Sequence, residues 1–286
     1  MKNPKITLAL ISLIIILSAI ASITGIFSSD GFESFTFESI HGEETIVYGK
    51  GLYGYMPEDV AVQGIAQDYV TLFIGIPMLI IGMYFSLKGS FKGRFILAGT
   101  VGYFFVTYLF YMLMAMYNEY FLIFVSLAGL SFYALAILLL SFELKSIRSL
   151  FNSDTQVKLP GIFLVINGFN IAFLWLSIVV PPLLDGTIYP SGLGYFTTLV
   201  VQGLDLSLLL PMSIIIGILL IKKNSYGYLF GPIYLVFLSI LMVALVAKII
   251  AIGLTGGTIF PAVIIIPLTM IIAFYSAYSL IKNLNS

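Results

Sequence analysis

Eight apolar runs, each close to the roughly 20 residues that a bilayer core demands, dominate this chain and leave it almost no freedom of fold class. They fall at 6–27, 68–87, 95–117, 120–142, 161–181, 204–221, 228–253 and 259–281. Only 9% of the 286 residues are charged, too few to wet the surface of a soluble domain of this size. The expectation is an all-α integral membrane protein with eight transmembrane helices. Ala19-Ile20-Ala21 resembles a signal-peptide cleavage site, but the run from Ile6 to Phe27 is longer than a signal h-region, so the first run reads as a span.

The cations orient the spans. Lys2 and Lys5 precede the first; Lys88, Lys92 and Arg94 lie between the second and third; Lys145, Arg148 and Lys158 lie between the fourth and fifth. Lys222 and Lys223 follow the sixth and Lys282 the eighth. All eleven fall on one side, against Lys50 on the other and Lys248 within the seventh span. Short loops rich in Lys and Arg stay in the cytoplasm, so the expectation is a multi-pass protein of the cytoplasmic membrane with both termini on its cytoplasmic side.

The chain also echoes itself. Gly51-Leu52-Tyr53-Gly54-Tyr55, then Val62-Gln63-Gly64, Asp68 and Pro77, are answered by Gly192-Leu193-Gly194-Tyr195, Val201-Gln202-Gly203, Asp205 and Pro211. Each proline is followed sixteen residues on by a glycine, Gly93 or Gly227, in a cationic turn with Ser90 or Ser225. The Asp-to-Pro spacings, nine and six residues, differ by three. Four spans per unit return the second copy in the same orientation, a parallel 4+4 repeat. The units are 1–142, including an extracytoplasmic loop at 28–67, and 158–286, joined by a cytoplasmic linker at 143–157. Within the loop, 35–40 and 45–48 flank His41-Gly42-Glu43-Glu44 and read as a β-hairpin that caps the bundle.

Polar residues inside apolar spans are costly and mark either function or helix–helix glue. Pro57, Glu58 and Asp59 suit a helix start, so the second helix begins early and carries Gln63, Gln67 and Thr71 on one stripe beside Gly64 and Asp68. The sixth span presents Thr198, Gln202 and Asp205. Pro77 and Pro211 free the carbonyls of Phe73 and Ser207, and these faces should turn into the bundle. Thr100, Tyr103, Thr107, Tyr111 and Asn118 recur along the third span, and Asn167 and Asn170 sit together in the fifth. The solute- or ion-path candidates are therefore Asp68, Asp205, Gln63, Gln67, Gln202, Asn167, Asn170 and Lys248. The alternative role for the acids is to anchor an interface or to pair with Lys248. No catalytic residue and no metal ligand is assigned.

Enzyme signatures are thin. One histidine and no cysteine argue against a metal site, a thiol nucleophile or a Ser-His-Asp triad. No phosphate-binding loop or dinucleotide fingerprint is present, no cofactor is implied, and a net charge of zero gives nucleic acid nothing to bind. The lipid bilayer is the one partner implied, beside an unidentified small ligand; oligomeric state is not encoded legibly.

Gly42-Glu43, Tyr48 to Tyr53, Ala66-Gln67-Asp68-Tyr69-Val70-Thr71-Leu72, Pro77, Lys88-Gly89-Ser90-Phe91-Lys92-Gly93-Arg94, Gly99 to Tyr103 and Tyr117-Asn118 resemble a family of prokaryotic multi-pass membrane proteins to which no activity is attached. The likeness covers the first half well and the second loosely. It implies arginine where His41, Lys88 and Lys92 stand, and it brings topology rather than chemistry. The leading expectation is a small-solute transporter-like protein with a polar cavity between helices 2, 3, 5 and 6. A non-catalytic sensor or assembly subunit, and a membrane-embedded enzyme acting on a lipid-like substrate, are the alternatives.

Overall fold

The computed structural model describes residues 3–190, 192–194 and 196–284; Lys2 and Tyr195, used above for orientation and for the echo, lie outside them. Among the described residues eight helices are long and apolar enough to cross a membrane: α1 (Pro4–Phe27), α2 (Glu58–Leu87), α3 (Phe91–Met114), α4 (Phe121–Leu140), α5 (Lys158–Val179), α6 (Val200–Ile221), α7 (Ser225–Leu254) and α8 (Ala262–Ile281). A short helical turn, Pro181–Asp185, continues α5. A two-stranded antiparallel sheet, β1 (Phe35–Glu38) with β2 (Glu44–Val47), forms the expected hairpin.

Most helix limits match the apolar runs within a few residues. The exception is α2, which begins ten residues before its run, at Glu58. Pro57 precedes it and Glu58 and Asp59 occupy its first turn, where carboxylates favour the positive end of the helix dipole. The polar stretch from Gln63 to Asp68 is thus helical from its start, and its backbone groups are satisfied before the apolar section begins.

Each half closes a four-helix ring. α1 packs on α2 and α4, and α3 on α2 and α4; in the second half α5 packs on α6 and α8, and α7 on α6 and α8. Small residues set the closest crossings. Gly161 and Gly217 face each other, so that a β-carbon on either would lie 2.8 or 2.6 Å from the other's carbonyl oxygen.

The halves meet through α3 and α7, with the first part of α2 also lying along α7. Gly99 is backed onto Val236 and the carbonyl of Ile233, where a β-carbon would come within 2.5 and 2.6 Å. The matching contact of α6 with α3 is limited to Val200–Leu204. Asp68 is fully buried, whereas Asp205 is half-buried.

Helices α2 and α6 carry the same distortion. A π-turn spans Thr71–Gly75 just before Pro77 and Asp205–Leu209 just before Pro211, consistent with the N–H that each proline cannot supply. From there the backbones run in step at an offset of 134 residues. Lys88 and Lys222 end the helices, Gly89 (φ 87°) and Lys223 (φ 54°) are left-handed, and Ser90 and Asn224 cap α3 and α7. The hydrogen bonds Ser90 N to Phe85 O, 3.0 Å, and Asn224 N to Leu219 O, 2.9 Å, correspond. At that offset Ser90 aligns with Asn224, Thr71 with Asp205 and Asp68 with Gln202, whereas the sequence echo sets Ser90 beside Ser225 and Asp68 beside Asp205.

The turns joining α2 to α3, α4 to α5 and α6 to α7 gather at one end of the bundle. There Arg148 lies over the ring of Tyr228, and Asn152 N donates to Asn283 O at 3.0 Å. The hairpin occupies the opposite end and grips the loop before α6: Glu43 accepts from Gly194 N at 2.7 Å and from Gly192 N at 3.3 Å, and His41 packs on Tyr189, ring centroids 4.0 Å apart.

Candidate functional site: the polar centre

Asp68 has no exposed surface. Tyr53, in the turn before α2, donates its hydroxyl to Oδ2 at 2.6 Å, and Tyr111 of α3 reaches Oδ1 at 3.0 Å and the Gly64 carbonyl at 2.7 Å. The two phenol rings stack at 5.9 Å. Gly25 of α1 closes the fourth side, since a β-carbon there would fall 1.9 Å from Oδ2. Ser22 Oγ and the Tyr108 hydroxyl are buried in the same wall and make no direct hydrogen bond within 3.5 Å among the described residues. A carboxyl group removed from water must be compensated by hydrogen bonds; Tyr53 supplies one donor outright, and the single proton of Tyr111 is shared between the carboxyl group and the nearer Gly64 carbonyl.

One turn on, a second cluster zips α2 to α3. Gln67 Nε2 donates to Tyr103 OH at 2.7 Å and to Thr107 Oγ1 at 3.1 Å, and Tyr103 OH meets Thr71 Oγ1 at 3.0 Å. The sequence spacing placed Gln67 and Thr71, and Tyr103 and Thr107, on facing stripes, and the structure joins them. Gln63 stays apart, donating to the Asp59 carbonyl at 2.9 Å on a surface turn.

The second half is built differently. Asp205 is half-buried and accepts at 2.7 Å from the indole N–H of Trp175, the only tryptophan. Gln202 beside it is half-buried and forms no side-chain hydrogen bond among the described residues. The asparagines of α5 depart from expectation: Asn167 is half-buried and Asn170 points outward, exposed. Gly161, Leu164 and Gly168 turn the buried face of α5 towards α6, and Asn170, two residues past Gly168, is carried to the far side by the helical period. α5 packs on α6 and α8 rather than on α2 or α3, so helices 2, 3, 5 and 6 do not enclose one space, and no open surface reaches Asp68.

Lys248 of α7 belongs to both halves. It forms no ion pair with either acid, yet it lies within electrostatic range of Asp68 and Asp205 together. Sequence alone offered it as a partner; among the described residues it makes no ion pair with either carboxylate. On its flank an apolar groove of about 440 Å³ runs between Val62, Ile65, Ala66 and Tyr69 of α2 and Ala247, Ile250, Ala251 and Leu254 of α7. No group of three or more His, Asp or Glu side chains suited to a metal ion occurs among the described residues.

The neighbours of the two acids that sequence reasoning missed are Tyr53, Gly25, Ser22 and Trp175. Tyr53 was visible only as a letter of the repeated motif, and Gly25 as one glycine in an apolar run. Comparison with protein-family models, with curated proteins and with solved structures gives no match.

Proposed function

We propose that the chain is an integral protein of a prokaryotic cytoplasmic membrane, both termini inside, made of two parallel four-helix units, and that it moves a small solute or ion through a polar centre shared by the two units. The eleven cations on one side support the orientation. The constant offset of the π-turn, proline, cap and turn supports duplication.

The observation that carries the transport reading is Lys248, a half-buried cation of α7 that pairs with neither acid and lies within electrostatic range of one carboxylate from each half. Two acids and one ammonium carry a formal charge of −1, which favours the uptake of one more positive charge beside the fully buried Asp68. A proton or monovalent cation meets that need, and the two proline-broken helices that hold the acids are the elements able to bend. The test is flux into proteoliposomes, with a pH-sensitive dye inside and a panel of small solutes outside. Asp68→Asn, Asp205→Asn and Lys248→Met should each abolish it while the protein remains folded.

A second reading, a sensor or assembly subunit, draws on the complete engagement of Asp68 by Tyr53 and Tyr111, the pattern of structural glue. It holds if the same substitutions lower thermal stability and no flux is found in the unsubstituted protein.

A further inference from the structure

Arg94, at the cation-rich end of the bundle, has no anion. It is 7% exposed, and its guanidinium forms no hydrogen bond or ion pair with any described residue. Nε is sealed from the surface, and neither terminal nitrogen shares that isolation, so the fork is held inward at its base and open at its tip. Phe91 and Phe142 flank it, their ring centroids 4.9 and 5.5 Å from Cζ. Stacking on aromatic rings offsets part of the cost of burying a guanidinium, but rings accept none of its five N–H groups.

The helix that carries it repeats the anomaly. α3 begins at Phe91 with Ser90 as its cap, and its first turn holds Lys92 and then Arg94 but no acid. Cations oppose the positive end of the helix dipole. Ser90 Oγ satisfies Gly93 N at 3.3 Å, and the amides of Phe91 and Lys92 have no acceptor among the described residues. The carboxylate nearest along the neighbouring loop, Glu143, is exposed and accepts Ser146 Oγ at 3.4 Å. In the second half, Tyr228 occupies the place of Arg94, under the guanidinium of Arg148 at 6.0 Å.

We propose that Arg94 and the first amides of α3 bind a phosphate-bearing anion, either a phospholipid headgroup or free phosphate, at this end of the bundle. A planar fork and free helix amides are the two donor types that phosphate oxygens match. The site is independent of the transport reading and of the acids in the polar centre.

The chain has two arginines, Arg94 and Arg148, so guanidine labelling reads the site directly. Purified full-length protein in non-ionic detergent is treated with phenylglyoxal and both arginines are followed by peptide mass spectrometry. Inorganic phosphate is added in one arm and acetate in another; in two more the protein sits in nanodiscs of phosphatidylglycerol or of phosphatidylcholine. Labelling of Arg94 should slow about tenfold with the matching anion, the factor expected of one charge-assisted hydrogen bond, while exposed Arg148 changes little with phosphate. Protection by phosphate in detergent identifies the free anion, and protection by phosphatidylglycerol alone identifies the headgroup. Equal labelling in every arm, equal protection by acetate, or an Arg94 that never reacts overturns the site. Thermal stabilisation by the effective anion should also vanish in Arg94→Gln and return in part in Arg94→Lys; the labelling of the unsubstituted protein decides the matter if Arg94→Gln does not fold.

Discussion

Gly25 and Asp68 approach so closely that a β-carbon on the glycine would sit 1.9 Å from Oδ2 of the carboxylate. The contact joins α1 to α2 at a fully buried carboxyl group. It also explains why α1 carries glycine at a position where helix propensity alone favours almost any other residue.

In an ordinary helix interior Gly→Ala gains about 1 kcal/mol. Here the sign reverses: Gly25→Ala should lower stability by about 1–3 kcal/mol, the range for overpacking a filled core. Thermal unfolding in detergent measures it. Adding Asp68→Ala should recover part of the loss, because the methyl then occupies the space the carboxylate vacated. A stabilised Gly25→Ala protein would show that the two helices do not meet as described.

Tyr53 and Tyr111 share one acceptor, so their contributions should couple. Tyr53→Phe alone removes the shorter bond, 2.6 Å, and should cost about 1–3 kcal/mol by leaving a buried carboxylate short of a donor. Tyr111→Phe should cost more in the Tyr53→Phe background than in the unsubstituted protein, because the second loss strips Asp68 of its last phenol. A double-mutant cycle on unfolding free energies gives the coupling directly.

The helices and the facing stripes of Gln67, Thr71, Tyr103 and Thr107 are legible in the chain because apolar length and the 3.6-residue period are local properties. The hairpin is legible for the same reason. Tyr53 is not, since it lies in a turn of Gly51–Tyr53 and nothing local aims it at a residue fifteen positions on. Asn170 is misread because every face of α5 is apolar enough to be inside, and only Gly161 and Gly168 reveal which face is. The pairing of Asp68 with Asp205 rests on matching letters; the π-turns and prolines set a different register, which is a backbone property that residue identity conceals.

Trp175 reports on Asp205 alone, being the only tryptophan. Asp205→Leu removes the acceptor of its indole N–H, and the emission should shift to the blue as the ring loses its polar partner. Trp175→Phe should cost about 1 kcal/mol, the net worth of one hydrogen bond, and less than Tyr53→Phe because Asp205 keeps contact with the surface. Steady-state fluorescence and thermal unfolding check the two statements separately.

The contact between halves yields a covalent test. A β-carbon on Gly102 of α3 would lie 3.8 Å from that of Phe237 of α7, the usual Cβ–Cβ separation in a disulfide. The chain has no cysteine, so Gly102→Cys with Phe237→Cys introduces the only pair. Mild oxidation should cross-link it in high yield. If the chain is expressed as two pieces cut within the 143–157 linker, the pieces should migrate together on a non-reducing gel and separate on reduction. Neither single substitution should do this, and a control pair at Leu122 and Leu268, both exposed on outer helix faces, should not cross-link. A double-cysteine protein that leaves its two pieces separate after oxidation would mean that α3 and α7 are not the seam between the halves, and with that the electrostatic reach of Lys248 to both Asp68 and Asp205 would lose its structural basis.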